Sequence, residues 1–184
     1  AEAEAAQALG TAEAAQALVA RVTDDHAGTA EASTLLRTVQ RMRVGPVDDL
    51  LALLERPGVA PAAWRALVAR AGADLRRPDD DDPVPQQDAE YAELEAREAL
   101  DNALVARLLL TLKAPEHADY AQTLVVAARW ARDGAVDAGL ARWAASGPNA
   151  TRARALEAIG FRARRRGGPV EALRAAVTSP EPGL

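Results

Sequence analysis

Two charge clusters in this 184-residue chain have the residue types for ligand chemistry. "RRPDDDDPVPQQ", Arg76 to Gln87, places four consecutive carboxylates, Asp79 to Asp82, between prolines. "RARRR", Arg162 to Arg166, puts four guanidinium groups into five residues, and Arg152 and Arg154 lie upstream in the same segment. The aspartates raise the question of a bound cation. The arginines raise that of phosphate groups on nucleic acid or anionic lipid.

A calcium or magnesium ion needs several oxygens converging on one point, and the loops that achieve this alternate their acids around a turn glycine. Here the acids are consecutive, no glycine interrupts them, and successive side chains of an extended run point apart. We therefore read residues 76–87 as an acidic, proline-rich linker and assign no metal. The arginines carry a competing explanation, because cations in the last turn of a helix favour its negative end, and Gly167 and Gly168 follow at once. Arg152, Arg154, Arg162, Arg164, Arg165 and Arg166 are retained as a possible anion-binding set. His117, after "APE" and near Asp119 and Tyr120, and His26, after Asp24 and Asp25, each lack a second imidazole within helical reach. We expect exposed or capping histidines rather than catalytic ones. Ser33, Ser146 and Ser179 have no Gly-x-Ser-x-Gly context, and "RRGGPV" lacks the lysine and spacing of a phosphate loop. Neither a catalytic set nor a cofactor is expected.

The elements that must position these groups are helical. Alanine fills 46 positions and aromatics only 3% of the chain, so the average residue is a strong helix former that packs with little bulk. There is no cysteine, which excludes disulfides and cysteine zinc sites and fits a cytoplasmic setting. The most apolar run, "ALVARLLLTL" from Ala103, is ten residues long and contains Arg107, well short of the roughly 20 apolar residues of a membrane span. "AEAEAAQALG" at the start has no secretory n-region or h-region and no initiator Met, from which we expect an excised piece of a longer protein. Residues 1–133 carry 14 basic and 23 acidic side chains, whereas residues 134–184 carry 8 and 4. The chain is acidic over most of its length and basic only at its end, which argues against a DNA-binding face.

Three segments repeat a pattern: "GPVDDLLALL" from Gly45, "GAVDAGLARW" from Gly134 and "GPVEALRAAV" from Gly168. Glycine in the left-handed conformation ends one helix, proline suits the first turn of the next, and the early carboxylate favours the helix N-terminus. Apolar residues follow at helical spacing: Val47, Leu50, Leu51 and Leu54; Val136, Leu140 and Trp143; Val170, Leu173 and Val177. Second helices follow the first two corners, with Trp64, Leu67 and Ala71 aligning with Ala153, Leu156 and Gly160, the last pair being small for close helix approach. This register sets Leu156 and Ile159 between adjacent hairpins. Two helices and two turns fit a period near 34 residues, the signature of a solenoid. A longer helical pattern from about Asp88 to Lys113, broken at Pro115, and another from about Glu116 to Arg132 enlarge the middle.

"GAVDAGLARWAASGPNATRARALEAIGFRARRRGGPVEALRAAV" resembles a HEAT-type repeat, in which an Ala-Val-x-x-Leu helix meets a second helix ending in Ala-Leu-x-x-Ile-Gly, as "TRARALEAIG" does. The resemblance is clearest over residues 134–178. It implies an all-α, right-handed α-solenoid of antiparallel helical hairpins with about nine helices, and a scaffold that binds other macromolecules. HEAT-like proteins also include DNA glycosylases for alkylated bases, in which Trp130, Asp133 and Trp143 would take the base-holding role. "EALDNALVARLLLTL" together with the later repeat resembles soluble helical regions appended to membrane transporters. We expect one helical-repeat domain over residues 1–184 with a flexible tail at 179–184. We expect it to be a non-enzymatic module binding a protein partner or its own parent chain, with anion binding through the basic C-terminal helix as the alternative.

Overall fold

The computed structural model describes residues 11–23, 29–73, 98–113, 115–166 and 169–177, together with Leu94. The acidic linker 76–87, His26, the tail 179–184, and the Arg166 and Val177 side chains lie outside that description. Every regular element among the described residues is helical. In chain order these are α1 (Ala12–Thr23), α2 (Thr29–Met42), α3 (Val47–Ala52), α4 (Ala60–Arg70), α5 (Asn102–Thr111), α6 (Ala118–Ala128), α7 (Val136–Ser146), α8 (Asn149–Arg166) and α9 (Val170–Val177). A 3-10 turn, Leu53–Glu55, continues α3. The chain divides into two compact units, residues 1–72 and 73–184.

In the first unit α1 packs on α2 and α3, and α4 packs on α2 and α3. The Thr11 hydroxyl accepts from the Ala14 amide at 3.1 Å, capping α1 as an N-terminal threonine does. At the first corner the left-handed residue is Arg43, with φ 55°, not the expected glycine. Gly45, at φ 158°, serves close approach instead: a Cβ there would lie 3.2 Å from the Val39 side chain. Helix α3 buries Leu50, and the tightening of its last turn to three residues brings Leu53 into the core. Val47, Leu51 and Leu54 of the expected stripe are only half-buried. Trp64, Leu67 and Ala71 are buried as expected. Gly72, with φ 71°, ends α4 in the left-handed conformation that costs glycine least.

In the second unit α5 packs on α6 and α7, α6 on α8, and α7 on α8, with α9 against α8 and α7. Among the described helices, α1 packs on α3 and α2 on α4 in the first unit, and α5 packs on α7 and α6 on α8 in the second. Helix α5 begins at Asn102, because the Asp101 carboxylate accepts from the Leu104 amide at 3.0 Å and fixes an N-cap there. Leu94, Glu98 and Ala99 are helical but Leu100 and Asp101 are not, so the expected helical run from about Asp88 to Lys113 is interrupted there. Helix α6 likewise spans less than the expected 116–132, and residues 131–133 form an irregular link. Val136, Leu140 and Trp143 form the buried face of α7, as the stripe requires.

Two details of the register in α8 differ from expectation. Its buried face is Thr151, Ala155, Ala158, Ile159 and Arg162, and Ala153, Leu156 and Gly160 are half-buried. The phase is displaced because Arg162 is drawn inside with the apolar residues that share its face. Gly160 does not mediate close approach, since a Cβ there would meet nothing within 4 Å. The close contact is at Gly139 of α7, where a Cβ would stand 2.6 Å from the Leu109 Cβ of α5. In α9, Val170 is exposed and Leu173 half-buried.

Replacing Gly160 by Ala should raise stability by about 0.5–1 kcal/mol through helix propensity alone. Gly139→Ala should lower it by about 1–3 kcal/mol by overpacking α5 against α7. Ile159→Ala should cost about 2–5 kcal/mol, and Leu156→Ala distinctly less. Urea denaturation of the four variants tests the set, and equal effects at Ile159 and Leu156 would refute this register.

Candidate functional site

The last four carbonyls of an α-helix have no partner within the helix and carry its negative partial charge. In this chain, side chains from later in the sequence reach such carbonyls. Arg56, just past the 3-10 turn, donates from Nη1 to the carbonyl of Val22 in α1 at 2.8 Å. In the second unit Arg142 of α7 donates to the carbonyls of Leu109 and Leu112 at the end of α5, the latter at 2.6 Å. Trp143 Nε1 adds a bond to the Leu109 carbonyl at 2.9 Å. The Arg142 guanidinium stacks 5.4 Å from the Trp143 ring, so the two donors are held together.

Arg162 carries the scheme furthest. Its side chain is 2% exposed and its donors are divided among four oxygens. Nη1 reaches the carbonyls of Ala128, at 3.2 Å, and Ala131; Nη2 reaches that of Asp133 at 3.0 Å. Nε pairs with the Asp137 carboxylate at 2.7 Å. One guanidinium thus closes the end of α6, shapes the link to α7, and joins both to α8. The planar fork of arginine suits this divergent task, whereas a lysine ammonium would not span it. The link is fixed from its own side as well: the Asp133 carboxylate accepts from the Ala135 amide at 2.8 Å, and the Asn102 side-chain oxygen accepts from the Arg132 amide at 3.0 Å.

These positions show how five of the six arginines of the possible anion-binding set are placed, the Arg166 side chain lying outside the described residues. Arg152, half-buried, donates to the Ala144 carbonyl at 3.3 Å. Arg154 pairs with Glu157 at 3.1 Å on the same helix. Arg162 is committed to the interior. Arg164 and Arg165 are exposed near the end of α8. Ten residues of helix separate Arg152 from Arg162, roughly 15 Å, so the set does not gather at one point. Of the base-holding trio, the Trp143 N–H and the Asp133 carboxylate both serve helix ends, and the Trp130 ring packs on Phe161 with centroids 5.2 Å apart. His117 accepts at Nδ1 from the Lys113 amide at 3.1 Å and so closes the turn into α6. Among the described residues no group of three metal-ligating side chains converges, and none of their helices is long and apolar enough to cross a membrane.

No known protein family, curated protein or solved structure matches this chain.

Sequence reasoning missed Arg56, Arg142 and the structural use of Arg162. A signal existed for the last: Arg162 lies three residues after Ile159 and four after Ala158, in phase with the buried face of α8. An arginine in phase with a core stripe, followed by exposed arginines, marks the one that is internal. Arg162→Ala should lower the unfolding free energy by about 3–5 kcal/mol, because it strands the Asp137 carboxylate and the α6 carbonyls together. Arg164→Ala should change it by no more than about 0.5 kcal/mol. Denaturant titration of the two variants separates a structural arginine from a surface one, and equal losses would contradict the assignment.

Proposed function

We propose that this chain is a non-enzymatic helical-repeat scaffold, a right-handed α-solenoid of antiparallel hairpins that binds a protein partner or another part of its own parent chain. The observation that carries this reading is the capping scheme. Helix-end carbonyls are met by a side chain 33 or 34 residues further on at Val22, Leu109 and Ala128. That separation equals the period read from the Gly134 and Gly168 corners. The described helices pair in the same alternating way in both units, α1 with α3 and α2 with α4, then α5 with α7 and α6 with α8. A repeated unit that satisfies its predecessor's backbone in this way suits a stack of hairpins, and such stacks serve binding through extended surfaces.

The reading as an anion-binding surface along α8 draws less support, since Arg152, Arg154 and Arg162 are occupied within the protein. The glycosylase reading draws less still, because Trp143 and Asp133 serve helix ends. A cytosolic repeat region of a transporter remains a form of the scaffold reading, with the parent chain as its partner.

Proximity labelling with the full-length gene product in its native cell tests the proposal. We expect one or a few proteins recovered reproducibly, or cross-links between this region and the remainder of its own chain. Recovery of neither would overturn the scaffold reading, as would turnover of a substrate by the purified chain that survives dilution to a single species.

A further inference from the structure

Asp133 and Gly134 form the single Asp–Gly pair in the chain. Both are exposed, in the link between α6 and α7. The fold gives no reason for glycine at 134. Its backbone is not in the left-handed region, and a Cβ there would meet only the Asp137 carboxylate, at 3.8 Å. The position is open, and without a side chain the peptide nitrogen of Gly134 is unhindered. Around it the link is held from several directions. The Asp133 carboxylate accepts from the Ala135 amide at 2.8 Å, and the Asp133 carbonyl accepts from Arg162 Nη2 at 3.0 Å. The Gly134 carbonyl accepts from the Asp137 amide at 2.9 Å, and the Arg132 amide donates to the Asn102 side chain at 3.0 Å. The pair is thus open to water and restrained by its neighbours at the same time.

We propose that Asp133–Gly134 is a site of covalent self-modification, isoaspartate formation, gated by the hold of Arg162 on the link. The Gly134 nitrogen loses its proton and bonds to the Asp133 carboxyl carbon, a C–O bond of that carboxyl breaks, and the oxygen departs as water. The resulting cyclic succinimide takes water back at either of its carbonyls. Opening at the former main-chain carbonyl routes the chain through the side-chain carbon and leaves that carbonyl as a free carboxylate, with no net change in composition. Closing the ring requires rotation about the Asp133 Cα–Cβ and Cα–C bonds. The first rotation gives up the bond to Ala135, and the second carries the Asp133 carbonyl away from Arg162. The reaction therefore proceeds through the released link, at a rate set by how often release occurs. Its product has an extra main-chain carbon between α6 and α7. The carbonyl that Arg162 held cannot return to its place, and release becomes permanent. The site does not depend on the scaffold reading.

The full chain is incubated at physiological temperature and near-neutral pH. Isoaspartate is measured by methyl transfer from S-adenosylmethionine with an isoaspartyl methyltransferase, and located by peptide mapping with a protease that cuts before aspartate but not before isoaspartate. We expect slow accumulation at Asp133 in the wild type and none above background in Gly134→Ala, whose methyl group hinders the attack at a position with room for it. Arg162→Lys should speed accumulation roughly ten-fold or more. Asn102→Ala, which frees the Arg132 amide and disturbs no buried charge, should speed it by a smaller factor, so the gate is tested even where Arg162→Lys does not fold. Leu50→Ala, in the core of the first unit, is the control and should leave the rate unchanged. Isoaspartate absent from Asp133 in the wild type and both link variants, or undiminished in Gly134→Ala, overturns the site. Equal rates in the wild type and the two link variants, or an equal rise in Leu50→Ala, overturn the gating.

Discussion

A helix ends with carbonyls that must find donors, and in this protein the solution to that constraint organises the packing. The end of α6 is met by a single buried guanidinium, and everything near it follows from where Arg162 sits. Because its donors diverge to Ala128, Ala131, Asp133 and Asp137, the link between α6 and α7 has one path, and α8 one rotational setting. That setting turns Ala155, Ala158 and Ile159 inward and leaves Leu156 and Gly160 at the edge. A polar requirement of the backbone, rather than the apolar pattern alone, thus selects which face of α8 is buried.

The same logic operates with different residues elsewhere. At the end of α5 the donors are Arg142 and the indole of Trp143, while at the end of α1 the donor is Arg56. A cation there gains both a hydrogen bond and a favourable position at the negative end of the helix, and burial of the site makes each more effective than on the surface. Small residues complete the arrangement by setting how near the helices come. Gly139 lets α5 and α7 meet backbone to side chain, and Gly147 turns so closely under Trp143 that a Cβ would stand 2.7 Å from the Trp143 carbonyl. Close approach and short donors are linked, since an arginine reaches a neighbouring helix end only where the helices lie near one another.

Charge in this chain consequently divides into two populations that composition does not distinguish. Arg142 and Arg162 act as internal hydrogen-bond donors, whereas Arg164 and Arg174 stand at the surface, the latter paired with Glu171. Arg129 and Arg165 belong with Phe161 and Trp130, in a cluster where cation, aromatic face and buried indole meet. No linear motif joins these four residues, because they come from the end of α6 and the last turns of α8. Only the packing of α6 on α8 makes them neighbours.

The all-helical class was legible in the residues, since an alanine-rich chain with apolar residues three and four apart has few other ways to bury them. The stripe of Val136, Leu140 and Trp143 and the burial of Trp64 and Leu67 were legible too, since local propensity and periodicity agree there, whereas Gly134 lies in the turn before Val136 without the expected left-handed conformation. The start of α5 was legible in principle from Asp101, a cap residue hidden inside a longer helical pattern. Tertiary structure alone decided which arginines are internal, which glycine permits close approach, and the phase of α8. The reason is physical: the partners in those choices are backbone carbonyls and a leucine side chain some 30 residues away, and a carbonyl has the same identity at every position of a sequence.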